Sequence, residues 1–329
     1  MNHQCSTGLK MVLLSHSLKI CALCLVMNYA IASSIHGISN VHRDSNHAVT
    51  AFTTTIPTQM LVVTDSRTGF LQGTQNAYPI RTVSKGLREK IVINDAADKK
   101  IIIYMHGMAS PTTQSSCKDL EHPKPPQALT SLLDAQTLLL YICSNAVDRN
   151  TEQPYSGEYV FGRVQEFTEI VNAVKAAGVP AQNIYLSGHS AGGWSALMTA
   201  AELGPDNIAG VIAFAPAFAG TRQTQQKYSR WKKVRTSQQQ TMISQQPIHA
   251  LVFVWDDDTF ETPSSLKFLQ DTFPTTVELK SSNCQKGHIT TFNDCQSTQH
   301  EHQIRIFLNS FGKNNAVTPI AYSPLFNKE

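Results

Sequence analysis

From residue 100 onward the apolar and polar positions settle into a regular alternation. Lys100–Met105, Thr137–Cys143, Asn183–Leu186, Ile208–Phe214 and His249–Trp255 are short, nearly continuous apolar runs bounded by Gly, Pro, Asn or Asp. Runs of that length and composition read as strands buried on both faces. Between them, Phe167, Ile170, Val171 and Val174 recur at helical spacing within 161–177, and Gly178-Val179-Pro180 stops the pattern. Gln127–Ala135, Trp194–Leu203 and Glu301–Phe311 read as further helices. Strands separated by helices predict an α/β fold, a mostly parallel sheet with helices on both faces. No internal repeat or linker breaks the pattern. One domain over 57–329 is therefore expected, within reach for a chain of 329 residues.

Two stretches fall outside this alternation. Residues 33–56 are rich in Ser, Asn, His and Thr without periodicity and read as a flexible N-terminal segment. Gln59–Asp65 and Ile80–Val83 are candidate early antiparallel strands. Within 218–247 the composition shifts to Gln, Lys and Arg, with Tyr228 and Trp231 embedded. That segment lies between two core strands and reads either as a solvated excursion carrying a helix or as a small lid insertion.

The first 32 residues have the layout of a signal peptide. Lys10 and Lys19 mark a positive entry region, Ile20–Met27 is continuously apolar, and Ala30-Ile31-Ala32 is a small-x-small cleavage site. Met11 is a plausible alternative start. Asn28 ends the apolar run well short of the roughly 20 residues a membrane span requires, so no stable membrane anchor is expected. A lipoprotein attachment at Cys21 or Cys24 is disfavoured, because neither follows a small residue. The chain is expected to be exported, either periplasmic or secreted.

Charge adds little. The formal net charge is +3, about +1 once Lys10 and Lys19 are removed, and no basic stripe with interleaved aromatics points to nucleic acid. Cysteine usage adds more. Cys5, Cys21 and Cys24 leave with the signal, and Cys117, Cys143, Cys284 and Cys295 remain. An even set in an exported protein suggests two disulfides with three possible connectivities. Cys117–Cys143 and Cys284–Cys295 are favoured, since each pair is close in sequence and falls beside an expected strand. The alternative is four buried free thiols. These four contain no C-x-x-C pair, so neither a zinc site nor a cofactor is expected. His36, His42 and His47 read as solvated residues of the N-terminal segment.

The chemistry begins at Gly188-His189-Ser190-Ala191-Gly192, which follows Ile184-Tyr185-Leu186 and precedes the helix-like run Trp194–Glu202. A serine hydroxyl is a poor nucleophile and must stand exposed on a sharp strand-to-helix turn beside a base, which flanking glycines permit. The base needs an acid to orient it. Downstream, Leu251–Trp255 runs into Asp256-Asp257-Asp258, where carboxylates at a strand's end face the crevice of such a sheet. Gly287-His288-Ile289 follows in a loop before the last helix, bracketed by Cys284 and Cys295.

This order of motifs resembles the α/β-hydrolase superfamily, particularly its secreted esterase and dienelactone-hydrolase-like members. The passages GVPAQNIYLSGHSAGGW (178–194) and IIIYMHGM (101–108) carry the likeness, which extends over roughly 101–311. The resemblance implies Ser190 as nucleophile, His288 as general base and Asp258 as its orienting acid, with Asp257 the alternate and Asp256 the least favoured. It implies an oxyanion hole from the backbone N–H groups of Met108 and Ala191. His-Gly-Met-Ala at 106–109 departs from the His-Gly-Gly-Gly of one lipase class, which disfavours that subgroup. His189 is expected to pack, and His300 and His302, at the head of the last helix, are rivals to His288. The implied activity is a serine carboxylesterase acting through an acyl-enzyme on a small-molecule or polymeric ester. The alternatives are a serine peptidase or other acyl transferase on the same fold, and a catalytically silent binding module.

Overall fold

The computed structural model of the chain describes residues 68–71, 93–108, 125–144, 146, 159–218, 220–282, 284–293 and 295–310. The expected signal at 1–32, the segment 33–56, the early strands at 59–65 and 80–83, and Cys117 lie outside them.

The apolar runs form the strands they predict. In chain order the elements are β1 (Gly69–Phe70), β2 (Lys100–Met105), α1 (Gln127–Thr130), β3 (Thr137–Ile142), α2 (Tyr159–Ala176), β4 (Ile184–His189), α3 (Ala191–Leu203), β5 (Gly210–Phe214), α4 (Arg222–Lys227), α5 (Ser229–Ser244), β6 (Ala250–Trp255), α6 (Pro263–Thr272), β7 (Val277–Ser282) and α7 (Ser297–Ser310). The strands lie side by side as β1-β3-β2-β4-β5-β6-β7, all parallel except β1, which pairs antiparallel with β3.

Alternation along each strand sends its side chains into two cores. Ile101, Ile103, Leu186, Val211 and Val252 face one way and pack with Val164, Phe167, Trp194, Trp231, Met242 and Leu266, drawn from α2, α3, α5 and α6. Ile102, Tyr185, Ile212, Leu251 and Phe253 face the other way and pack with Leu129 of α1 and Ile304, Phe307 and Leu308 of α7. Each such aliphatic or phenyl side chain contributes about 1.5–3 kcal/mol on full burial, which explains why near-continuous apolar runs are needed here.

Two expected helices change extent most. The first shrinks to Gln127–Thr130, because Ser131 Oγ bonds back to Gln127 O and Asp134 Oδ1 accepts the N–H groups of Gln136 and Thr137, folding 131–136 into turns. The last helix starts earlier, at Ser297, so His300 and His302 sit within it. Of the 218–247 excursion, most becomes α4 and α5, and α5 is the crossover that parallel neighbours β5 and β6 require. It is docked through buried Trp231, Gln238 and Met242, with Trp194 Nε1 donating to Gln238 Oε1 at 2.8 Å.

Strand order fixes where a site can form. From β2 the chain steps outward to β3, then returns to lay β4 on the opposite side of β2 and continues through β5, β6 and β7. The direction therefore reverses between β2 and β4. The crevice beyond the carboxyl ends of those two strands is the topological switch point, where open α/β sheets bind ligands.

Candidate active site

Ser190 stands at that switch point, between the end of β4 and the start of α3. Its backbone is at φ 54°, ψ −121°, a region non-glycine residues rarely occupy. Neighbours hold it there. The Ser190 N–H donates to Phe214 O at 2.9 Å, and its carbonyl accepts from the N–H groups of Trp194 and Ala217 at 2.9 and 3.1 Å. The turn closes only because Gly188 and Gly192 lack side chains. A Cβ on Gly188 would overlap the Gly192 backbone, and one on Gly192 would overlap the carbonyl of Met105.

His288 reaches Ser190 from the far side of the sheet. It lies on a 3-10 turn, Gly287–Phe292, between Cys284 and Cys295, which are disulfide-bonded to each other. Cys143 is also disulfide-bonded. Four contacts fix the His288 loop. The Gly287 N–H donates to Asp257 Oδ2 at 2.8 Å, Thr290 Oγ1 donates to Gly287 O at 2.8 Å, His189 Nε2 donates to His288 O at 2.9 Å, and the Phe260 ring stacks on the imidazole at 4.1 Å.

So held, His288 Nε2 lies 2.7 Å from Ser190 Oγ and its Nδ1 lies 2.8 Å from Asp258 Oδ2. Asp258 is fully buried, and its second oxygen, Oδ1, accepts the Phe260 N–H at 2.7 Å. With the carboxylate ionised, Nδ1 carries the imidazole proton and Nε2 presents its lone pair to the serine hydroxyl. The chain of hydrogen bonds therefore has one direction, from Ser190 to His288 to Asp258. The three adjacent aspartates divide their work. Asp256 is exposed, Asp258 meets the imidazole, and Asp257, expected from strand alternation to point away, turns to the Gly287 backbone instead.

The other histidines do not compete. His300 packs on Phe253 and Trp255 in the second core, and burial pushes it down to about 4. His302 is exposed on α7. His189 is buried between His288 and Phe292, and burial, with His288 nearby, pushes it down to about 3. It packs as a neutral ring that props the His288 carbonyl.

Of the two expected oxyanion donors, Ala191 directly follows the serine and Met108 lies in the loop after β2. Ala191 is the first residue of α3, whose leading amides have no partner within the helix. Opposite, the loop after β2 runs His106-Gly107-Met108, and Gly107 packs so closely that a Cβ there would stand 3.2 Å from Ser190 Cβ. This loop has unusual supports. His106, fully buried, bonds Gly107 O through Nδ1 at 2.5 Å and accepts the Ser144 N–H at Nε2, 3.1 Å away. Arg163 of α2, also fully buried, donates from Nη1 to His106 O at 2.6 Å and from Nε to Ala146 O at 3.1 Å. Burial pushes His106 down to about 3, and the Arg163 charge adds to that.

The roles of three of these residues escaped the motif reading. Asp257 and Phe260 act on the histidine loop through contacts no spacing announces. Arg163 did leave a signal. It falls in register with Val160, Val164, Phe167 and Val171 on the apolar stripe of α2, where a charge is out of place.

No family model matches this chain, and no curated protein does. Among solved structures it is similar to Est1E from Butyrivibrio proteoclasticus, at 14% identity and a TM-score of 0.45, covering 66% of this chain and 91% of that one. It is similar to the thermophilic esterase Est2 of Thermogutta terrifontis, solved with propionate bound, at 15% identity and 0.45, covering 65% and 84%. It is also similar to SOBER1 of Arabidopsis thaliana, at 16% identity and 0.42, covering 64% and 99%. With a serine on a strained elbow after β4, an aspartate after β6 and a histidine after β7 around a mostly parallel sheet, the chain has the α/β-hydrolase fold.

Proposed function

We propose that the protein is an exported serine hydrolase that cleaves carboxylic esters through an acyl-enzyme. The observation that carries this reading is the continuous hydrogen-bonded path from Ser190 Oγ through His288 to buried Asp258. His288 Nε2 takes the hydroxyl proton as Ser190 Oγ attacks the ester carbonyl, and Asp258 stabilises the resulting imidazolium. The N–H groups of Met108 and Ala191 receive the negative oxygen of the tetrahedral intermediate. Its collapse breaks the bond to the alcohol, which leaves with the proton from His288. Water, deprotonated by the same imidazole, then releases the acid and restores Ser190. Export rests on the signal-like first 32 residues and agrees with the disulfide that closes the histidine loop.

The test is covalent labelling of the purified mature protein by a fluorophosphonate, together with hydrolysis of short p-nitrophenyl esters and of peptide amides. A serine esterase forms an adduct on Ser190 and turns over the esters faster than the amides, and Ser190→Ala loses both label and turnover while keeping its circular dichroism spectrum. Faster amide cleavage would make it a peptidase. No adduct and no turnover would leave a binding module on a hydrolase fold.

A further inference from the structure

Arg163 poses the sharpest question in the molecule. A guanidinium with no exposure sits on the apolar stripe of α2, and the two hydrogen bonds it makes to described residues both go to main-chain carbonyls, His106 O and Ala146 O. Burying a charge is expensive, and a helix needing only to cover the sheet would carry Leu or Met there. The close approach is built in. Gly162, one residue earlier, lies so near Ala146 that a Cβ would come within 2.9 Å of the alanine Cβ. The helix is thus brought against Ala146, beyond β3, whose carbonyl takes one of the two Arg163 bonds.

What Arg163 holds is the segment facing the nucleophile. Its Nη1 fixes the carbonyl of the 106–107 peptide, and the His106 imidazole fixes the carbonyl of the next peptide, 107–108. In a planar trans peptide the N–H lies opposite the C=O. Pinning Gly107 O on the His106 side therefore turns the Met108 N–H away from His106. A chain free to flip either peptide would present a carbonyl where a donor is needed. The imidazole is also confined to one form. Nε2 accepts the Ser144 N–H, so only the neutral Nδ1–H tautomer satisfies both bonds, and burial, with the adjacent guanidinium, opposes protonation.

We propose that Arg163, acting with the His106 ring, is a positioning residue that sets the Met108 N–H as an oxyanion donor. This rests on the esterase reading above. Arg163 touches no reacting atom, so its removal acts selectively on the transition state. Loss of one such donor lowers kcat by about 10²–10³-fold.

The experiment compares Arg163→Met and Arg163→Lys with the unaltered protein in p-nitrophenyl ester hydrolysis. It adds the affinity for a boronic acid that forms a tetrahedral adduct, and thermal unfolding. Arg163→Met is expected to lower kcat about a hundredfold with KM unchanged and to weaken boronic acid binding in parallel. Arg163→Lys keeps a charge and a donor but not the planar fork that serves two carbonyls, and is expected to lose about tenfold in kcat. A folded Arg163→Met with kcat within threefold of the unaltered protein, or a loss confined to KM, overturns the assignment. Should the Met variant fail to fold, the Lys variant decides: a kcat loss with KM unchanged and weakened boronic acid binding upholds the proposal, and an unchanged kcat overturns it. Failure of the unaltered protein to label or turn over would instead reject the esterase reading itself.

Discussion

Replacing Asp258 by Asn changes one charge and almost no volume, and the surroundings of the carboxylate determine the outcome. Oδ1 accepts the Phe260 N–H at 2.7 Å while Oδ2 faces His288 Nδ1 at 2.8 Å. An asparagine must keep its carbonyl oxygen on the Phe260 side, because the reverse orientation sets its amide hydrogens against that N–H. The NH₂ group then faces His288 and donates to Nδ1. The imidazole proton is driven to Nε2, which becomes a donor towards Ser190 Oγ, 2.7 Å away, and can no longer accept its proton. Charge stabilisation of the imidazolium is lost as well. In the serine protease that serves as the template for such triads, the equivalent change lowers kcat about 10⁴-fold, roughly 5.5 kcal/mol of transition-state stabilisation. The same loss is expected here, with KM for a p-nitrophenyl ester little changed, whereas exposed Asp256→Asn should hydrolyse at the normal rate. Retention of more than a tenth of kcat in Asp258→Asn would refute the reasoning and move the acid elsewhere.

Asp257→Ala removes the acceptor of the Gly287 N–H and should lower kcat about 10–100-fold by loosening the His288 loop, while Asp257→Asn, whose amide oxygen can accept the same bond, should stay within a few-fold. Equal effects of the two, measured by ester hydrolysis, would deny Asp257 that role. The Cys284–Cys295 bridge closes a loop worth about 3 kcal/mol in the chain-entropy argument and holds His288. Mild reduction should therefore diminish activity at temperatures where the circular dichroism spectrum is unchanged, and full activity of the reduced protein would count against it. His106 and His189 are both pushed down to about 3 by burial, so below about pH 6.5 the unfolded chain takes up a proton on each of these two rings that the folded chain refuses. Stability should be complete above about pH 6.5 and fall as pH drops towards 3, by about 1.4 kcal/mol per pH unit for each ring. Denaturant unfolding at pH 7, 6 and 5 measures the slope. Imidazole resonances of these two residues titrating near pH 6 in the folded protein would contradict it.

The strands and the chemical motifs were legible in the sequence because each is local. Ile101-Ile102-Ile103 must be buried on both faces wherever the chain goes, and Gly188-His189-Ser190-Ala191-Gly192 brings its own turn. β7 was not legible because it lies at the sheet's edge. Only Val277 of its six residues is buried, and the run Val-Glu-Leu-Lys-Ser-Ser carries no continuous apolar signal. α6 was missed for its brevity, although Thr262, Pro263 and Ser265 form a capping box with proline at the first turn, a start signal that could have been found. The role of Asp257 was beyond reach for a different reason. Strand alternation predicts where a side chain points only while the strand lasts, and the chain has already entered a turn at Asp256.

The strand order has a consequence for how the proposed activity would arise during folding. Ser190 and His288 are 98 residues apart, and β5, β6 and β7 must all be laid down between them. Slipping β6 by a single residue against β5 would reverse every side chain of Leu251–Trp255 and carry the adjoining aspartates out of reach of the imidazole. Turnover by the proposed triad would therefore report on the register of half the sheet at once. In a refolding experiment, turnover should return with the slowest phase in which long-range strand pairing is completed, behind any recovery of helical signal.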